Sequence, residues 1–213
     1  MIAARTAHRE WRAVARAWGH EGNHRLTASA GLALFVLLAV ESWTTLLLSS
    51  YLSLHMFLGF VLLPAVALKL ATTGWRAARY YTGSRHYRLA GPPKLALRWL
   101  APLLVASTLA LFGSGVALVV IGHGHGWVQL MHAVSFGVWG VLMVVHVGVY
   151  LARTVRLGTS DWRRHAERIV PGGRIRRVLL AVALLAGVII ALATYPTQQA
   201  FHPKIGGSDA RSR

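Results

Sequence analysis

The chain has 213 residues, 55% hydrophobic and 14% charged, with 23 Lys+Arg against 6 Asp+Glu and no cysteine. A soluble domain carries about 25% charged residues and a disordered chain needs low hydrophobicity, so neither a typical cytosolic enzyme nor a disordered protein fits. The lack of cysteine excludes disulfides, thiolate metal sites, iron–sulfur clusters and thioether-attached haem, and what is left is a membrane protein with basic loops or a nucleic-acid binder with an apolar core.

The first 26 residues are polar. Arg5, Arg9, Arg12 and Arg16 recur at helical spacing, with Trp11, Val14 and Trp18 on another face. This pattern predicts a short amphipathic segment on the cytoplasmic leaflet, drawn there by anionic lipid. Five apolar runs follow: Thr27–Leu48, Tyr51–Thr73, Leu97–Gly122, Trp127–Leu151 and Val178–Tyr195. Each is close to or above the roughly 18–20 residues that cross a bilayer core as a helix. The first follows too long a polar stretch, and is itself too long, to read as a signal peptide. Gly91-Pro92-Pro93 and Pro171-Gly172-Gly173 are helix stops ahead of the third and fifth runs.

Basic residues fall in alternate connections. One set runs from Arg76 through Arg79, Arg85, Arg88 and Lys94 to Arg98; another comprises Arg153, Arg156, Arg163, Arg164, Arg168, Arg174, Arg176 and Arg177. The connections at Ser49–Ser50 and His123–Gly126 have none. Positively charged loops stay cytoplasmic. The expectation is therefore an all-α, five-helix integral membrane bundle with its N-terminus in the cytoplasm and its C-terminus outside. Residues 1–26 form a cytoplasmic segment, 27–195 the membrane domain and 196–213 an extracytoplasmic tail. The charge marks orientation, and nucleic acid is not an expected partner.

Ionisable residues inside a span are costly and become functional candidates. Here they are Glu41, His55, Lys69, His132 and His146. His55 lies four residues after Tyr51 and His132 five after Trp127, which places both roughly 6–8 Å inside the outer boundary on two parallel helices. Lys69 follows His55 by fourteen residues and His146 follows His132 by the same number. Fourteen residues are nearly four turns, so each pair shares a helix face about 21 Å apart. Two imidazoles at one depth fit a haem b, whose porphyrin supplies four of six ligands. A zinc ion would want about four protein ligands, and plain hydrogen bonding between helices is the other reading. Glu41, near the same depth, is a candidate proton acceptor or an ion-pair partner. Lys69 is a candidate haem ligand, a propionate partner, or a side chain snorkelling to the headgroups. Two more histidines, His123 and His125, lie in the short outer turn and make at most a weak metal site.

Three stretches, LHMFLGFVLLPAVALKLATTGWRAARYYTG (Leu54–Gly83), GPPKLALRWLAPLLVASTLALFGSGVAL (Gly91–Leu118) and WVQLMHAVSFGVWGVLMVVHV (Trp127–Val147), carry a family likeness. They resemble the membrane cytochrome b group: bacterial cytochrome b561, the cytochrome b subunits of hydrogenases and formate dehydrogenases, cytochrome b/b6 proteins, and actinobacterial membrane proteins of the haem b type. The resemblance implies a haem-binding bundle in the bacterial inner membrane that moves electrons between quinone and a redox partner. That partner is expected outside, for instance a molybdenum-cofactor oxidoreductase, with this chain as its electron-transfer subunit. By position His55 and His132 match one axial pair and His146 a ligand of a second haem, with Lys69 standing where the two-haem pattern has histidine. A haem-free proton or cation transporter using the same buried residues is the competing expectation.

Overall fold

The five apolar runs are five helices, and each is long and apolar enough to cross a membrane. A computed structural model describes residues 19–89, 95–121, 126–162 and 170–200. The spans are α1 (His20–Leu46), α2 (Leu48–Tyr81), α3 (Leu95–Ile121), α4 (Gly126–Gly158) and α5 (Gly173–Ala193). Shorter helical pieces occupy Arg85–Leu89, Ser160–Trp162 and Tyr195–Ala200. The expected amphipathic segment (1–18), the outer turn with His123 and His125, and the end of the tail (201–213) lie outside the described residues.

Most helices overrun the apolar runs at the end of the bundle that carries the arginines, called here the basic end. α1 begins at His20 rather than Thr27, because the polar residues of its first turns find hydrogen-bond partners on α2 and within α1. Asn23 donates from Nδ2 to the Thr72 carbonyl of α2 at 3.0 Å, and the Thr27 hydroxyl donates to the Asn23 carbonyl at 2.7 Å. α5 likewise starts at Gly173, ahead of its three arginines, behind Gly172 with φ 89°, a left-handed backbone that glycine adopts without a Cβ clash.

At the opposite end, the expected turn at Ser49–Ser50 is shorter. Leu47 alone (φ −119°, ψ 38°) separates α1 from α2, and both serines fall in the first turn of α2, which kinks at Tyr51. The Thr44 and Thr45 hydroxyls donate to the Glu41 carbonyl at 2.7 and 3.0 Å. These are side-chain bonds back to a carbonyl three and four residues earlier, the local pattern Thr favours in a helix. Beyond α5, the stretch read as the start of a polar tail is the short helix Tyr195–Ala200, whose buried Gln198 donates to the Ala191 carbonyl at 3.1 Å.

α1 packs against α2 and α4, α3 packs against α4, and α2 and α3 touch only thinly. α2 and α4 therefore sit on the diagonal of a four-helix square, parallel to one another, with no extended mutual contact among the described residues. Their inward side chains share the middle of the bundle. α5 lies outside the square against α2. There Gly187 lets the two backbones meet, because a Cβ at that position would strike the Val61 carbonyl. Gly158 plays the same part between α4 and α1, where a Cβ would lie 3.0 Å from the Ala28 carbonyl oxygen. Overpacking such a contact costs about 1–3 kcal/mol.

The outward faces are apolar: Val144 is 75% exposed and Val120 71%. In water such a surface would be an aggregation liability; in a bilayer it meets acyl chains. Exposed aromatic residues collect near the two ends, with Trp43, Tyr51, Trp127 and Tyr195 at one and Trp75, Tyr81, Trp99 and Trp162 at the other. That distribution is the aromatic belt of a membrane protein. The fold is a multi-pass membrane bundle.

Candidate functional site

His55 on α2 and His132 on α4 face each other across the diagonal, their ring centres 6.4 Å apart and their planes inclined at 75°. Equal depth on parallel helices produces this meeting. Each ring is then fixed from behind through Nδ1. His132 Nδ1 lies 3.1 Å from the Leu111 carbonyl and 3.1 Å from Ser114 Oγ, both on α3. A carbonyl only accepts, so Nδ1 carries the proton and Nε2 carries a free lone pair. Ser114 can accept from the ring because its own hydroxyl donates back to the Ala110 carbonyl at 2.6 Å.

His55 repeats the arrangement with a carboxylate. Its Nδ1 is 2.9 Å from Glu41 Oε1 on α1 and 3.3 Å from Thr45 Oγ1. With Glu41 ionised, Nδ1 is again the donor and Nε2 the bare nitrogen. Thr44 Oγ1 touches the other carboxylate oxygen at 3.4 Å and is itself buried. Glu41 is thus the partner of His55 and joins α1 to α2. No hydrogen bond among the described residues uses either Nε2 atom.

Backbone space shapes the site. A Cβ at Gly115 on α3 would approach His132 Cε1 to 3.1 Å, so glycine there gives the ring its place. A Cβ at Gly59 would come 3.8 Å from Glu41 Oε1, and one at Gly137 would meet nothing within 4 Å. Met56, Phe60, Val61 and Val119 form a buried apolar cluster on α2 and α3, with Ala191 of α5.

The second pair, a span deeper, is built differently. Lys69 donates from Nζ to the Thr27 carbonyl of α1 at 2.8 Å, and it lies over Gly31, where a Cβ would crowd the amine. His146 stacks at an angle on Tyr150, ring centres 5.0 Å apart. The Lys69 amine thus bonds α2 to α1.

Sequence reasoning passed over the polar anchor of the basic end. Asp161, 2% exposed, is held by Arg176 through Nε and Nη2 and by Arg25 Nη1 at 3.1 Å. Arg177 adds a bond to the Asp161 carbonyl. One carboxylate therefore ties α1 and α5 to the connection after α4. Read along the chain, these arginines are only loop charges; nothing local marks Asp161 as their common partner.

No family model matches the chain, and no curated protein and no solved structure matches it. Among the described residues no group of three or more His, Cys, Asp or Glu is placed to hold a metal ion. The His55–His132 pair thus offers two nitrogens and no third protein ligand.

Proposed function

We propose that the chain is a b-type membrane cytochrome in which His55 and His132 hold one haem b. The observation that carries this reading is the pair of rings with both Nδ1 atoms tied back and both Nε2 lone pairs unengaged, 6.4 Å between centres. An imidazole nitrogen would reach a metal ion at about 2.0–2.1 Å, so two rings with centres 6.4 Å apart would hold one ion between them. A two-nitrogen site suits a complex that brings its other four ligands itself. The family likeness of α2, α3 and α4 supports the same reading.

The haem supplies one-electron redox chemistry. His55 and His132 bind from the two diagonal helices. The Leu111 carbonyl and Ser114 hold the His132 tautomer and ring angle, and Glu41 and Thr45 do so for His55; such partners also raise ligand basicity. Met56 and Phe60, which follow His55 on α2, are buried in an apolar cluster. With positive loops inside, this site lies towards the outer face of a bacterial inner membrane, suited to exchange with quinone and an extracytoplasmic partner. Lys69 does not enter the proposed site, its amine being bonded to the Thr27 carbonyl.

The test is spectroscopic. Full-length protein purified from cells supplied with haem precursor should be red, with a Soret band and sharpened α and β bands on reduction. His55→Ala and His132→Ala should each remove the pigment while His8→Ala keeps it. A colourless but folded preparation of the unmodified chain would overturn the reading in favour of haem-free transport.

A further inference from the structure

The two rings of the proposed haem site are backed unequally. His55 Nδ1 lies 2.9 Å from a carboxylate oxygen of Glu41 and 3.3 Å from Thr45 Oγ1. His132 Nδ1 divides its proton between the Leu111 carbonyl and the Ser114 hydroxyl, both at 3.1 Å and both neutral. A hydrogen bond to an ionised acceptor is roughly twice as strong as one between neutral groups, and it pushes electron density through the ring towards Nε2. His55 is therefore the stronger donor of the pair.

The surroundings differ in the same sense. His55 is followed on α2 by Met56 and Phe60, both buried in the apolar cluster that α2 shares with Val119 of α3 and Ala191 of α5. His132 is preceded by the exposed Met131 and followed by the exposed Val134, on the least buried of the five spans. Gly115 sets no side chain against the Cε1 edge of its ring, where a Cβ would come to 3.1 Å. One ring is strongly backed on a packed helix, and the other is weakly backed on a lightly packed one.

We propose that His132 is the ligand that yields, and that a small neutral diatomic molecule such as carbon monoxide takes its place while His55 stays bound opposite. The inference rests on the haem reading above. One neutral donor replaces another, so no electron or proton changes hands, and the His132 ring keeps its Nδ1 proton. Charge at this depth would be costly, and a diatomic of this class carries none.

The probe is carbon monoxide added to full-length, dithionite-reduced protein in detergent. The unmodified chain should convert to a carbonyl spectrum at a rate that levels off as carbon monoxide is raised, because departure of His132 limits it. Ser114→Ala removes one of the two acceptors behind that ring and should raise the limiting rate by roughly tenfold. Thr45→Val, behind the other ring, should leave it unchanged. Resonance Raman spectra of the flash-photolysed product identify the retained ring, since a carboxylate behind it stiffens the iron–nitrogen stretch. That frequency should fall in Glu41→Gln and hold in Ser114→Ala. A pigmented protein that forms no carbonyl complex overturns the inference and leaves the haem reading standing. So does a stretch that shifts in Ser114→Ala rather than in Glu41→Gln, or a limiting rate that Ser114→Ala does not raise. A colourless folded protein removes both readings. If Glu41→Gln retains too little haem for the Raman measurement, the Ser114→Ala and Thr45→Val rates decide by themselves.

Discussion

The two ends of this bundle solve the problem of buried polarity in opposite ways. At the Glu41 end each buried ring is held through Nδ1 by partners on the neighbouring helix. Glu41 and the Leu111 carbonyl take the Nδ1 protons of two histidines and leave two nitrogens bare at the centre. At the basic end charge is saturated, as Asp161 is by Arg25 and Arg176. The first arrangement prepares a site for a neutral-donor ligand set, and the second fastens helices together. Function and stability should therefore separate along the length of the molecule.

Substitutions can break that separation or sharpen it. The largest effect is expected from His132→Ala, which should abolish pigment while leaving the thermal midpoint of the haem-free protein within a few degrees of its unsubstituted counterpart, by circular dichroism in detergent. Asp161→Ala should do the reverse. It leaves Arg176 and Arg25 buried without a counter-charge, a loss of about 3–5 kcal/mol, read as a large fall in thermal midpoint with an unshifted absorption spectrum in the folded fraction. Glu41→Gln keeps a hydrogen-bonding oxygen but removes the charge behind His55. A partner of this kind is worth about 10–100-fold in ligand-set affinity, measured by haem transfer to apomyoglobin, and the reduction potential should rise. Trp139→Phe is the smallest. It deletes the bond from Trp139 Nε1 to Thr108 Oγ1, 3.1 Å long and buried, at about 0.5–1.5 kcal/mol, with no spectral change. Equal loss of pigment and of stability in every variant would erase the distinction between the ends.

The spans and the meeting of His55 with His132 were legible in the sequence because hydropathy and helical period are local quantities. Depth counted from Tyr51 and Trp127 needed only the rise per residue. What surrounds the rings was less so. Ser114, Gly115 and the Leu111 carbonyl act on His132 from α3, and their role depends on which helix neighbours α4, a fact no local pattern states. Glu41 was legible in depth, and one of the two roles considered for it, an ion pair joining α1 to the bundle, corresponds to its bond with His55. Lys69 was read from its level in the membrane, yet its amine goes to the Thr27 carbonyl on α1, a partner that no local pattern states. Asp161 was hidden for the same reason: its partners lie 136 and 15 residues away.

The most direct test of the central claim is low-temperature electron paramagnetic resonance of the oxidised protein, since ferric haem reports both its axial ligands and their relative orientation. Ring planes inclined at 75° predict a single low-spin, strongly anisotropic ferric signal, of the kind given by two near-perpendicular imidazoles. A high-spin signal, two distinct low-spin species, or no ferric haem signal from folded protein would contradict the account.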